Sequence, residues 1–174
     1  MIMPRAVRST LLRFPRLPSP YCDFPVSFTL LRFPGLADIY DMFEWNSKYS
    51  VGIGSIDAQH QMLFAIADEL FNALSAGKGQ TVLRKILDRL LQYTASHFAH
   101  EERLMRLHDY PDLAKHKAQH EALTNQVNIF SDEFKTGRAA ISVQVMIFLK
   151  DWLTKHIQQS DRAYAPFLIG KAVA

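Results

Sequence analysis

Four stretches of this chain repeat apolar residues at steps of three and four, and each repeat is interrupted by a histidine or an acid. Ile56, His60, Leu63, Ala67, Leu70 and Leu74 form the first seam; Leu83, Leu87, Leu90, Thr94, His97, Glu101 and Leu104 form the second. Leu113, His116, His120, Leu123, Val127, Phe130 and Phe134 form the third, and Val145, Leu149, Trp152 and His156 the fourth. Such a stripe marks the core-facing side of a bundle helix. The pattern predicts helices from Ser55, a plausible N-cap, to about Ala76, from Thr81 to Leu107, from Asp112 to Lys135, and from about Ser142 to Ser160. Gly77-Lys78-Gly79, Tyr110-Pro111 and Thr136-Gly137 punctuate them, and Pro166 falls in a short tail. No strand signal interrupts them. The expected fold is all-α, an antiparallel up-down-up-down four-helix bundle with an N-terminal arm.

The segment before the bundle is different. Six of the eight prolines precede residue 42, a density that precludes a continuous helix. Residues 1–41 are read as a disordered Pro/Arg-rich extension or a mis-assigned start, with Met42 as the natural one, and 42–174 as the bundle. A targeting peptide is the competing reading, because the first 20 residues carry arginines and no acid; the long apolar run of a secretory signal is missing. Glu44-Trp45 begins an ordered arm in which Trp45 is expected to pack.

The net charge of +3 resides in the first 40 residues, leaving the bundle balanced. A balanced domain offers no electrostatic case for nucleic acid. No apolar run of about 18 residues is present, so no membrane span is expected. Cys22, the single cysteine, allows no intramolecular disulfide in the bundle. The chain is expected to be a cytoplasmic monomer.

In an antiparallel bundle, the start of the first helix, the end of the second, the start of the third and the end of the fourth share one end. His60, His97, Glu101, His116, His120 and His156 all fall at that end, and Asp161 follows just after the last helix. Unpaired carboxylates buried there would cost several kcal/mol, and a metal ion is the usual compensation. A single core histidine is more often a hydrogen-bonded packing residue; five histidines and two acids in one layer are not explained that way. Seven donors exceed the four of a tetrahedral zinc, and Lys117 stands where a zinc protease helix carries its glutamate. Imidazoles suit iron, and carboxylates can bridge two ions. By helical phase, Glu102 should face solvent, and His100 and His108 should lie at the rim or surface.

Ile56-Asp57-Ala58-Gln59-His60, His97-Phe98-x-x-Glu101-Glu102, Tyr110-Pro111 followed by His116-x-x-x-His120, and Trp152-Leu153-x-x-His156-Ile157-x-x-x-Asp161-x-x-Tyr164 together resemble the hemerythrin family, its bacterial members in particular. The resemblance spans about residues 43 to 168. It implies a pair of irons joined by an oxo or hydroxo bridge. His116, His120 and His156 would hold one iron, His60 and His97 the other, and Glu101 and Asp161 both. One coordination position would stay open for dioxygen, walled by Leu63, Phe98, Trp152, Leu153 and Ile157. The implied function is reversible dioxygen binding for carriage, storage or sensing, without substrate turnover. Two alternatives stand beside it. One is a di-iron oxidase or peroxidase, although the sequence reading finds no extra acid, base or redox tyrosine near the open iron. The other is an iron, nitric oxide or redox sensor acting through a protein partner.

Overall fold

The computed structural model describes residues 42–171. The expectations for residues 1–41 lie outside the described residues. α1 runs Gly54–Ser75, α2 Gln80–Leu107 and α3 Leu113–Lys135. A fourth rod begins as α4, Val143–Lys155, passes through a π turn at His156–Asp161 and continues as α5, Arg162–Ile169. Among the described residues there is no strand, and no helix is long and apolar enough to cross a membrane.

The seams point inward as their periodicity demands. Ile56, His60, Leu63, Ala67 and Leu70 are buried on α1, with Leu83, Leu87, Leu90, His97, Glu101 and Leu104 on α2. Ion pairs mark the antiparallel order: Arg89 near the start of α2 meets Glu69 near the end of α1, and Lys135 at the end of α3 reaches Asp88 at 3.8 Å. The first three helices match the predicted spans to within a residue or so at each end, the usual scatter of helix termini.

The arm is fastened by an acid in the first turn of α1. Asp57 accepts from Ser50 Oγ at 2.6 Å, from Val51 N–H at 2.8 Å and from Gly52 N–H at 3.2 Å. Asp57 therefore serves backbone groups ahead of the helix, while Ser55, the expected cap, is already inside it. An acid there also complements the positive end of the helix dipole. Gly52 turns the arm at φ +79°, and a Cβ on it would meet Ile169 at 3.3 Å, so backbone and space both call for glycine. The arm then lays Trp45 and Tyr49 against Phe64, with ring centroids 5.7 and 4.8 Å apart, confirming Trp45 as a packing residue.

The fourth rod departs from expectation in three ways. It does not end near Ser160, and Pro166 lies inside α5. Proline lacks the N–H that the Arg162 carbonyl would accept and is disfavoured in a helix interior; burial of Tyr164, Ala165 and Leu168 carries the helix through it. Second, Asp161 lies within the rod rather than beyond it. Third, the buried face of α4 contains Met146 and Leu153, with Val145, Leu149 and Trp152 half-buried. Leu149 and Trp152 border a cavity instead of filling a seam.

Replacing Asp57 with alanine removes three hydrogen bonds to the arm. The expected loss is about 2 kcal/mol of stability, seen as a lower urea midpoint with helical circular dichroism unchanged.

Candidate metal centre

Each helix delivers its donors for a local reason. His97 and Glu101 on α2, and His116 and His120 on α3, are four apart and stack on one face. His156 and Asp161 are five apart, which on an α-helix would separate them by about 140°. The π turn closes i to i+5 bonds, such as Arg162 N–H to the Ile157 carbonyl. It returns Asp161 to the face of His156, and His156 Nε2 lies 3.1 Å from Asp161 Oδ1. The sequence placed Asp161 at the correct level of the bundle, but its aim depends on this turn.

All seven expected groups converge and all are buried. They form two sets whose donor atoms lie within 4.8 Å of one another: Glu101, His116, His120 and His156 in one, and His60, His97, Glu101 and Asp161 in the other. Both carboxylates reach across. Glu101 Oε1 faces His97 Nε2 at 3.6 Å and His60 Nε2 at 3.9 Å, while Oε2 faces His120 Nε2 at 3.2 Å and His116 Nε2 at 3.5 Å. Asp161 Oδ2 lies 3.2 Å from His60 Nε2, and Oδ1 lies 3.7 Å from His116 Nε2. The arrangement is two imidazole groups, of two and three, joined by two bridging acids.

A family model described as the hemerythrin HHE cation binding domain matches residues 51–168. The chain belongs to the hemerythrin family. It is 30% identical over 128 residues to a bacteriohemerythrin of Methylococcus capsulatus, covering 73% of this chain and 97% of that protein. To a bacteriohemerythrin of Stenotrophomonas maltophilia it is 34% identical over 121 residues, covering 70% and 78%. A wild-type hemerythrin crystal structure superposes with a TM-score of 0.67 at 32% identity, covering 71% of this chain and 95% of that one.

Buried atoms of the cluster fit a cation. His60 Nε2, His116 Nε2, Glu101 Oε2 and both Asp161 oxygens make no hydrogen bond although all are enclosed. Buried polar atoms normally have partners, and imidazole nitrogens mixed with carboxylate oxygens suit a first-row transition metal. The outward-facing nitrogens are held separately: His97 Nδ1 pairs with Gln59 Oε1 at 3.0 Å and His120 Nδ1 with Glu102 Oε1 at 3.1 Å. Such outer partners fix ring orientation and raise ligand basicity.

Glu102 corrects the sequence reading, which assigned it to solvent. Helical phase gives only the direction of its Cβ, and its long side chain bends back to His120. Tyr164 is a second correction: it belongs to the quoted motif but was given no role, and no redox tyrosine was expected near the open iron. Its fully buried hydroxyl donates a hydrogen bond to Glu101 Oε1, because α5 continues past the point where the sequence stopped it. His100 stays at the rim, 3.4 Å from Ser55 Oγ. Of the five expected pocket residues, Leu63, Trp152 and Leu153 line the cavity, of about 260 Å³. Phe98 and Ile157 do not: Phe98 stacks on His120 at 3.7 Å between centroids, and Ile157 is packed into the main core.

The surroundings hold both acids ionised in spite of their burial. Burial opposes the charge on Glu101, but His97, His116, His120 and His60 outweigh it and hold the carboxyl well below its usual range. Burial and Glu101 both oppose ionisation of Asp161, and His156 and His60 still draw it below normal. Burial, with His60 and His120 adding to it, lowers His97 to about 4 against the pull of Glu101 and Asp161. For His156, burial is overcome by Asp161, and the ring is raised. Burial and Glu101 push Tyr164 well above its ordinary value, so it remains a hydrogen-bond donor.

His97 yields a pH expectation for the metal-free chain. The folded state refuses a proton that the unfolded state accepts, so stability from this group is full above pH 6.5 and lost as the pH falls towards about 4. The loss amounts to about 3 kcal/mol. Urea midpoints across this window should fall more steeply for wild type than for His97→Gln.

Proposed function

We propose that this chain binds dioxygen reversibly at a di-iron centre, with no substrate turned over. The carrying observation is that Glu101 and Asp161 each present one oxygen to each of two histidine groups. A pair of ferrous ions, when bound, supplies the electrons that let dioxygen be held and later released. His116, His120 and His156 would hold one ion with three nitrogens, and His60 and His97 the other with two.

The protein's remaining groups protect that chemistry. Gln59 and Glu102 fix the rings of His97 and His120, and Tyr164 fixes Glu101. Leu63, Trp152 and Leu153, with Phe98 and Ile157, form an apolar surround that admits a small neutral gas and limits water. Bacteriohemerythrin relatives that align over most of their length support the reading.

Purified protein should hold two irons per chain. After reduction, it should develop a visible absorption band in air that disappears under argon over repeated cycles. Asp161→Asn and Glu101→Gln should lose iron. Glu102→Ala should weaken it by about 10- to 100-fold, as expected for a partner one bond removed from the metal. A chain that takes iron but never recovers its reduced spectrum under argon would overturn the reading.

Tyr164 favours one second reading, a di-iron oxidase or peroxidase, because it places a phenol on a bridging acid. That activity would appear as sustained oxygen consumption with a reductant, lost in Tyr164→Phe; stoichiometric uptake alone sets it aside.

A further inference from the structure

The cavity beside the metal layer is far larger than a diatomic gas requires. It is a partly open space of about 260 Å³ between α1, α2, α3 and α4, with Phe43 of the arm on its wall. Its origin lies in side-chain size. Ala67, Thr94, Ala95 and Thr124 face it, where leucines or phenylalanines fill other levels of the bundle. Phe98, Leu123 and Val127 consequently form a small apolar cluster apart from the main core.

Apart from the exposed Asn128, the wall is apolar in function as well as composition. Thr94 Oγ1 donates to the Leu90 carbonyl and Thr124 Oγ1 to the His120 carbonyl, each at 2.8 Å, so both hydroxyls turn back on their own helices. No charged side chain lines the space. Its most exposed lining residues are Ala95 on α2 and Thr124 and Asn128 on α3, which places an opening between those two helices. Phe43 and Trp152 supply aromatic surface for edge or face contacts.

We propose that this cavity binds a small uncharged aromatic molecule of one or two rings. An apolar cavity of about 150 Å³ stays dry and takes up benzene, so this one has room for a second fused ring. A carboxylate is excluded because it would lose its water with no cation to meet it. The occupant touches Trp152, whose ring stacks on His156 with centroids 4.7 Å apart, and touches none of the seven metal-site groups. The site shares Leu63, Trp152 and Leu153 with the apolar surround of the proposed dioxygen site, but its occupancy requires neither iron nor dioxygen.

The test is fluorine NMR on the purified full chain with its bound metal, titrated with fluorobenzene, 1-fluoronaphthalene, 4-fluorobenzoate and 1-fluorohexane. Both neutral aromatics should bind saturably at one site, and 4-fluorobenzoate should not. Ala95→Leu, at an exposed helical position, extends into the opening and should weaken aromatic binding at least tenfold without lowering the melting temperature; Thr124→Leu serves if that variant fails to fold. Absence of saturable aromatic binding overturns the proposal. So does unchanged affinity in a folded filling variant, equal binding of the benzoate, or 1-fluorohexane binding tenfold tighter than the aromatics. Because the readout uses neither iron absorption nor oxygen, its failure is distinct from failure of the proposed function.

Discussion

Two buried carboxylates, each shared between two groups of imidazoles, are the constraint to which this structure answers. Glu101 and Asp161 are fully enclosed and still held ionised. Burying such charges costs several kcal/mol each unless positive charge or hydrogen bonds compensate. Four rods must bring five histidines to those acids at one level, which fixes the register of each helix against its neighbours. A bundle of apolar seams alone could slide by a turn at modest cost; one carrying these acids could not, because a slip would strand a carboxylate in the core.

Much of the structure beyond the donors serves that layer. The π turn rotates Asp161 onto the face of His156. The continuation through Pro166 carries Tyr164 to Glu101. Asp57 anchors the arm that packs Trp45 near His60, their ring centroids 6.5 Å apart. Gln59 and Glu102 orient two rings from outside. Pro166 and the π turn are both irregular by helix standards, and each carries a buried group to the centre that an uninterrupted α-helix ending at Ser160 would not.

The opposite economy applies next to the centre. Above His97 and His120, the chain places alanines and threonines where larger side chains would pack, and a void results. Unfilled apolar volume costs stability, and natural cores generally avoid it. Here it adjoins Trp152, the ring that covers His156, so looseness and the metal layer meet at one side chain.

The sequence by itself determined the helices, their order and which histidines gather at one end. Seam periodicity is local, and four antiparallel rods oblige His60, His97, His116, His120 and His156 to share an end. It did not determine where long or late side chains go. Glu102 points away by phase yet reaches His120, because a flexible side chain can undo the direction its backbone sets. Asp161 acquires its aim from a π turn, and Tyr164 reaches Glu101 only because tertiary burial outweighs the local cost of Pro166. The width of the space beside the centre was likewise a tertiary decision: it depends on how closely whole helices approach, and periodicity carries phase without distance.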